Sequence, residues 1–519
     1  MSSLNRLFLV SFFFVLPLFP GERIDPIYYG LDPSSLFEQL TFHKLYPRTE
    51  KGQQALARAW ELINRHRTSK NAVDPALTGS DININHLVLF ANKEVSSPPA
   101  TLNREEIRII ERISDHLHNR KLKGHTARTV EEVLALPDEE IDLARALLIH
   151  TFEEDPERDH KMAQYEAGLD FMALQVLGYL PIEMTDEEKI TAINRLIFYE
   201  KQFRYPAEMD TGREGDIDVY SLLPSVLDKR EGVCLGTSVL YLAIAQRIGL
   251  PLEIVTPPGH IYLRYVAGEE TINIETTDRG VSVPSEYHLN MSTSLLQTRS
   301  MKEVIGLSFV NQAASASLRH DDALAALFAE KGSIYLRSDP SYPALAGEYH
   351  LLAGNTERGT ALLKEVDMTI PEHRTCQTGL QMAAEDYLMG HVDAEGLRYV
   401  LTKPEERGYE ILLTQAEKLE TYLHKQPRFR LGLLELAAIY LELHKEEKAT
   451  EALLAYHARD RENPHVEYLL AMTLCERFRF QEAWYHLNNA ERITDRKGYR
   501  PKPLIRLKRH LHEIYPINP

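Results

Sequence analysis

The chain has 519 residues, of which 44% are hydrophobic and 26% charged, a composition typical of a folded protein. Its length predicts about three domains, because a single hydrophobic core stops growing at roughly 250 to 300 residues. The formal net charge of −17 opposes contact with the phosphate backbone of nucleic acids. We therefore expect no nucleic-acid partner.

The N-terminus carries an apolar run that follows Arg6. The run is shorter than a membrane-spanning helix and is typical of a secretory signal, so we predict a signal peptide or an N-terminal anchor over residues 1–21. The body would then be exported, periplasmic or secreted, and would contact a membrane only through an uncleaved N-terminal segment. The alternative is a buried N-terminal helix in a cytoplasmic protein.

Residues 25–138 form a mostly helical N-terminal region in this interpretation. Amphipathic patterns predict helices over 52–67 and 104–124, and the alternation over 81–90 predicts a strand between them. Residues 139–205 predict three further helices, the last of them starting near Lys189 after a run of capping and acidic residues. None of these segments contains a catalytic motif.

Cys234 follows a charged turn that includes Lys229 and Arg230, and it precedes a helical pattern of apolar residues. The pattern predicts a helix starting at Leu235, with the thiol at its amino end. The unpaired N–H groups and the positive dipole end of a first turn stabilise a thiolate, and the two basic residues act in the same direction. Cys234 is therefore a candidate nucleophile, and a small buried hydrophobic side chain is the alternative.

His260 follows a Pro-Pro-Gly turn, and the alternating residues after it predict a strand that begins at the histidine. A turn near Gly268 leads to a second alternating segment, which includes Glu275. Because a hairpin pairs its two strands side by side, we expect His260 and Glu275 to be neighbours. Thiol, imidazole and carboxylate are the groups that nucleophilic acyl transfer requires. The alternative is an ordinary turn histidine and a solvated strand glutamate.

This arrangement of Cys, His and acid resembles the transglutaminase-like superfamily, and in particular a bacterial branch, the core 2 transglutaminase-like family with helical repeats. The resemblance covers residues 139–309 and is carried by a helical lead-in and by the motifs GVC, PPGH and NIETT. It implies an α+β fold: a papain-like core over residues 139–310, flanked by the N-terminal helical region and a C-terminal helical repeat array.

By this resemblance Cys234 is the nucleophile, His260 the base and Glu275 the orienting acid of an exported cysteine-dependent acyl transferase or hydrolase. Its substrate would be an amide or peptide bond, and no cofactor is needed. The backbone N–H of Cys234 is the first oxyanion candidate, and Tyr220 is the second. Two departures stand out: the acid is commonly Asp in this branch, and the upstream Asn-Ser pair is Tyr220-Ser221 here.

Many members of the branch have proline near the cysteine position and lack the nucleophile, so the presence of Cys234 favours activity. The alternative function is a catalytically inactive scaffold that binds protein partners.

Cys376 and Cys475 bring the cysteine count to three, which leaves at least one free thiol. CxxC and HExxH spacings are absent from the sequence, so we predict no metal site from spacing.

The C-terminal part, residues 311–519, is predicted to form tetratricopeptide-like helical repeats. A set of large and small residues recurs there at a period of 34, the period of that repeat, and a weaker copy spans 346–366. Such stacks commonly bind proteins or peptides on a concave face; covering the catalytic domain is the alternative role. The recurring pairs are Leu436 and Leu470, Ala437 and Ala471, Tyr440 and Leu474, Ala449 and Ala483, Leu453 and Leu487, and Tyr456 and Ala490.

Overall fold

A computed structural model describes residues 24–67, 102–207, 217–268, 270–401 and 408–516. The predicted signal peptide or anchor and the predicted strand over 81–90 lie outside these ranges. The chain divides into two compact units, Met1–His116 with Ala167–Ala192, and Leu117–Glu166 with Ile193–Pro519.

Helices make up most of the described part that precedes the sheet. Asn103 begins one of them with a capping box, in which the Asn103 side chain accepts from the Glu106 N–H and the Glu106 carboxylate accepts from the Asn103 N–H. The helices are α1 Ile24–Tyr29, α2 Leu36–Leu45, α3 Glu50–Asn64, α4 Arg104–Ile113, α5 Val130–Ala135, α6 Leu143–Thr151, α7 Arg158–Tyr179 and α8 Asp186–Asn194.

The helix predicted over 104–124 is shorter than expected. It ends at Ile113, and the 3₁₀ turns His118–Lys121 and Lys123–Thr126 follow it. Ser114 is its C-cap, and the Ser114 hydroxyl donates to the Asp170 carboxylate at 3.0 Å. The three helices predicted over 139–205 are present as α6, α7 and α8, and a π-helical segment, Arg195–Glu200, extends the last of them.

Two further helices, α9 and α10, precede a small antiparallel sheet. The sheet has the order β3-β2-β1-β4, and the central strands pair so that Leu263 lies opposite Ile254 on one side and Ile274 on the other. These three side chains are buried, because alternate residues of a strand face the core. The elements are α9 Leu223–Lys229, α10 Cys234–Arg247, β1 Glu253–Thr256, β2 Tyr262–Ala267, β3 Glu270–Ile274 and β4 Gln297–Arg299.

Helix α10 is buried along nearly its whole length, since apolar residues occur on all its faces. Its far end is held by Gln246, whose side chain accepts from the Leu143 N–H at 3.1 Å and donates to the Ile141 carbonyl at 2.9 Å. This pair of bonds ties α10 to the start of α6. The helix that carries the candidate nucleophile is therefore part of the core.

Helices form the rest of the described chain. The helix pairs α18–α19 and α20–α21 start 34 residues apart, at Arg430 and Pro464 and at Glu446 and Phe480, which confirms the repeat. The helices that the described residues form after the sheet are α11 Met301–Leu318, α12 Asp322–Ser333, α13 Tyr342–Leu352, α14 Thr356–Lys364, α15 Gly379–Leu388, α16 Ala394–Leu401, α17 Tyr409–Lys425, α18 Arg430–Glu442, α19 Glu446–His457, α20 Pro464–Glu476, α21 Phe480–Asp495 and α22 Lys502–Ile514.

Small residues let the paired helices of this array approach closely. Ala437, Ala449 and Ala483 are completely buried at the recurring positions. In the weaker copy, a Cβ added at Gly347 would lie 3.0 Å from the Gly359 carbonyl oxygen, so the helices α13 and α14 meet at two glycines.

The predicted fold class is confirmed: helices flank a small antiparallel sheet. Among the helices of the described ranges, none has the length and apolarity needed to span a membrane.

Candidate active site

Cys234 is the first residue of α10, one position earlier than predicted, and its side chain is partly exposed. The preceding residue, Val233, donates its N–H to the Tyr220 carbonyl at 3.0 Å. A Cβ at Gly236 would lie only 2.2 Å from that same carbonyl oxygen. The first turn can pack this closely only because residue 236 has no side chain. The local sequence thus fixes the thiol at a helix amino end, where N–H groups stabilise a thiolate.

His260 lies in the turn before β2 and not at the first residue of the strand, as the alternation had predicted. Its N–H donates to the Pro257 carbonyl at 3.1 Å, and Gly259 has a φ of +72°. The turn therefore continues through the histidine, and β2 begins at Tyr262. This position leaves the ring about a quarter exposed, at 26% of the side chain.

Glu275 directly follows β3 and is 5% exposed. Its Oε2 lies 2.7 Å from His260 Nε2, so the neighbouring positions expected from the hairpin are present. Its backbone is held as well, because its N–H donates to the Val281 carbonyl at 3.0 Å and its carbonyl accepts from the Gly280 N–H at 2.8 Å. A carboxylate fixed in this way can orient the imidazole through its Nε2 atom.

The pKa of His260 reflects these neighbours. Burial lowers the pKa of the imidazole, but hydrogen bonds with the Cys234 thiol and the Glu275 carboxylate outweigh burial and raise it to about 9. At neutral pH the ring is therefore an imidazolium between a sulfur and a carboxylate. Of the three predicted side chains, His260 is thus the one that interacts with both Cys234 and Glu275.

A buried pair of hydroxyls joins the two halves of this site. Ser238 lies one turn after Cys234 on α10, and its Oγ is 2.9 Å from Oγ1 of Thr276, the residue after Glu275. Both residues are buried, with exposures of 0% and 3%. This contact ties the helix that carries the thiol to the segment that carries the acid, which limits how far the two can separate.

His288 is a site residue that the sequence did not reveal. Its Nε2 lies 2.9 Å from Oε1 of Glu275, so one carboxylate contacts two imidazoles. Its ring stacks on Tyr262, with centroids 4.8 Å apart and an interplanar angle of 19°. The 3₁₀ turn Ser285–His288 is anchored by Ser285, which contacts the Tyr262 hydroxyl. A histidine in an irregular segment gives no periodic signal, so only the fold shows this neighbour.

Tyr220, the second oxyanion candidate, is 6% exposed. Its carbonyl accepts from Val233, and the Lys229 ammonium lies 5.5 Å from its ring centroid. Its position is therefore set by the segment before α10, and its role in oxyanion binding stays a prediction. Arg230 donates to the Lys201 carbonyl at 3.5 Å.

Residues 163–304 match the family model described as the transglutaminase-like superfamily. This segment carries a transglutaminase-like domain. It extends from within α7 to the start of α11 and contains the sheet, α10 and every residue of the site described above. The resemblance expected from the sequence is confirmed over this segment, and the match supports a papain-like fold.

Curated relatives are similar to a larger part of the chain. The chain is 25% identical over 288 residues to F-box only protein 21 of Mus musculus, covering 51% of this chain and 43% of the relative. It is 24% identical over 296 residues to the Homo sapiens protein of that name, covering 53% and 43%. The match to the Pongo abelii protein is 26% over 223 residues, covering 40% and 34%. The chain thus spans less than half the length of these mammalian relatives, and its predicted bacterial origin stays a prediction.

Proposed function

We propose that the transglutaminase-like domain is a cysteine-dependent acyl transferase or hydrolase that acts on amide or peptide bonds. Cys234 is the nucleophile, His260 the proton carrier and Glu275 the acid that orients His260. The observation that supports this most directly is the contact of the Cys234 thiol with an imidazolium whose opposite side is held by a carboxylate. These are the three groups that a thiol acyl transfer requires, and His260 is the one that interacts with both of the others.

In the first half of the reaction, the Cys234 thiolate attacks the carbonyl carbon and forms a C–S bond, and the carbonyl π electrons move to the oxygen. The imidazolium of His260 then gives its proton to the departing nitrogen as the C–N bond breaks. A free amine and a thioester result, and His260 is left neutral. The Cys234 backbone N–H, in the first turn of α10, is the candidate donor to the transient oxyanion.

In the second half, neutral His260 takes a proton from water or from an amine as that nucleophile attacks the thioester. The C–S bond breaks, and the thiolate and the imidazolium are restored. Water as the acceptor gives a carboxylic acid, and an amine gives a new amide. Glu275 keeps its negative charge throughout and stabilises the imidazolium at the start and the end of the cycle.

Thiol reactivity provides the first test. A neutral iodoacetamide probe should label Cys234 rapidly at pH 7, because a helix amino end and a neighbouring imidazolium favour the reactive thiolate, and His260→Ala should slow this labelling at least tenfold. Cys376 and Cys475 are internal references, since burial raises the pKa of both thiols. Labelling of Cys234 as slow as that of the two references, unchanged in His260→Ala, would instead support the inactive scaffold.

Turnover provides the second test. A mixture of peptides is incubated with the full chain, with and without an added primary amine, and the products are identified by mass spectrometry. Cys234→Ser should remove every product, whether hydrolysed, deamidated or joined to the amine. Products that persist in Cys234→Ser would refute the proposed nucleophile.

We also propose that the chain is exported and that the helical array binds a protein or peptide partner. The apolar run over residues 1–21 and the 34-residue repeat support these two proposals. Cell fractionation tests the first of them, and a protein found only in the cytoplasm would refute it. Crosslinking to the array followed by mass spectrometry tests the second.

A further inference from the structure

Three metal-ligating side chains meet inside the helical array, far along the chain from the site described above. His457 lies at the end of α19, Glu467 on α20 and His486 on α21. The Nδ1 atoms of the two histidines lie 2.5 Å and 2.8 Å from Oε1 and Oε2 of Glu467, respectively. Their donor atoms all lie within 4.8 Å of one another, an arrangement found once in the described residues.

The cluster is buried. Glu467 is completely inaccessible, His486 is 5% exposed, and the His457 side chain is 12% exposed. Asn489 donates to Oε2 of Glu467 at 3.3 Å. Among the described residues, the Glu467 carboxylate bonds His457, His486 and Asn489, and neither a lysine nor an arginine pairs with it. A buried carboxylate without a permanent cation beside it is stabilised by hydrogen bonds, by a protonated neighbour or by a bound metal ion.

We infer that His457, Glu467 and His486 form a binding site for a divalent transition-metal ion, with Zn²⁺ the best match. Two imidazole nitrogens and one carboxylate oxygen are a donor set that zinc takes, with bonds of about 2.0 to 2.2 Å. Donors around a tetrahedral ion at such distances lie roughly 3.4 Å apart, so small outward shifts of these side chains would accommodate it. The partly exposed His457 marks the side from which the ion enters.

The ion has a structural consequence for the array. His457 belongs to one repeat, and the two other ligands belong to the next, so the bound ion joins three consecutive helices across a repeat boundary. Solenoid repeats contact only their neighbours, which makes such a boundary the place where the stack bends or opens. Occupancy therefore stiffens the array at this boundary. Ligands spaced ten and nineteen residues apart match no compact metal motif, which explains why the sequence predicted no site.

The test uses the full chain without an affinity tag, stripped with a chelator and titrated with Zn²⁺ by calorimetry. Wild-type protein should bind one more high-affinity equivalent than Glu467→Gln, which keeps the shape of the side chain but removes its charge. His457→Asn, at the more exposed helix end, should also weaken this equivalent at least tenfold. The difference between the number of Zn²⁺ ions bound by wild-type protein and by each variant counts only the ion at this site, because any ion bound at Cys234 is present in all of them.

The matched control is His350→Asn. His350 is buried in the same array and bonds Glu330 at 2.9 Å, but the described residues place no second histidine on that carboxylate. This variant should retain the extra equivalent. Titration with Co²⁺ gives a second readout, because three protein ligands and one water produce the strong visible absorption of a four-coordinate ion. Glu467→Gln and His457→Asn should both lose this absorption.

Equal stoichiometry and equal Co²⁺ spectra in wild-type protein, Glu467→Gln and His457→Asn would overturn the inference. The cluster would then be a hydrogen-bonded tether between repeats, with the carboxylate accepting from both imidazoles. If Glu467→Gln does not fold, as judged by circular dichroism, His457→Asn alone decides between the two outcomes.

Discussion

Replacing Glu275 by glutamine should lower the pKa of His260 by about one pH unit. The carboxylate is 2.7 Å from His260 Nε2, and this bond is one of those that raise the pKa of the ring to about 9 against the effect of burial. Glutamine keeps an oxygen at this position but removes the charge. A charge-assisted hydrogen bond is about twice as strong as a neutral one, so the imidazolium loses about 1.5 kcal/mol of stabilisation.

The pKa can be measured through Cys234 itself, by comparing alkylation rates with iodoacetate and iodoacetamide between pH 5 and pH 10.5. The two reagents attack the same thiolate, but only the anionic one is attracted by an adjacent imidazolium. The rate with iodoacetate divided by the rate with iodoacetamide therefore falls as His260 loses its proton. We expect a midpoint near pH 9 in wild-type protein, from the pKa of the ring, and near pH 8 in Glu275→Gln.

Glu253→Gln is the control for this experiment. Glu253 pairs with Arg264 at the exposed side of the same sheet, at 2.7 Å, so its loss removes a carboxylate without touching the site. Its midpoint should equal that of wild-type protein. A midpoint in Glu275→Gln that matches the wild-type value, or a rate ratio that does not vary with pH, would show that Glu275 does not support the charge of His260.

Substitutions at three further positions test other parts of the structure. His288→Leu should reduce kcat for peptide substrates about tenfold with little change in KM, because Glu275 loses its second imidazole contact. His288→Gln retains a hydrogen-bond donor and should recover part of the rate. Gly236→Ala places a methyl group 2.2 Å from the Tyr220 carbonyl oxygen and should destabilise the fold by about 1 to 3 kcal/mol in urea unfolding; an unchanged midpoint would contradict the packing described. Glu348→Gln should stabilise the protein by about 1 to 2 kcal/mol at pH 7, because burial disfavours the ionised carboxyl and glutamine is neutral in both the folded and the unfolded chain.

The pH dependence of Glu348→Gln follows from the sign of the shift. Burial raises the pKa of the Glu348 carboxyl well above its ordinary 4.5, so folding keeps it protonated while the unfolded chain releases the proton. Its unfavourable contribution therefore appears above pH 4.5 and grows with pH. The advantage of glutamine should shrink in unfolding measurements at pH 4, and an equal gain at pH 4 and pH 7 would contradict this explanation.

The parts of the site that the sequence predicted are those set by local structure. A helix pattern located Cys234 to within one residue of the helix start, and one hairpin was enough to pair His260 with Glu275. The strand boundary was wrong by two residues, because the turn stabilised by Gly259 and Pro257 continues through the histidine. Local patterns thus identified the three side chains but not the exact backbone that holds them.

Contacts made through irregular segments could not be predicted. His288 reaches Glu275 after a stretch with no periodicity, and its contact depends on how the 3₁₀ turn folds back over Tyr262. In the array, the 34-residue period gave the helix pairs because it repeats the packing positions. His457 and His486 do not recur at that period, so their convergence on Glu467 becomes visible only in three dimensions.

The buried hydroxyl contact between Ser238 and Thr276 has a consequence for local fluctuations. This contact joins the helix that carries Cys234 to the segment that carries Glu275. If the two move apart, the hydrogen bond between the Ser238 and Thr276 hydroxyls breaks and both hydroxyls lose their partner. The backbone amides after Cys234 and those around Glu275 should therefore exchange with deuterium as one cooperative unit, through the same opening event. An alkylating reagent would therefore encounter Cys234 in one of two states, with the helix and the Glu275 segment either in contact or separated.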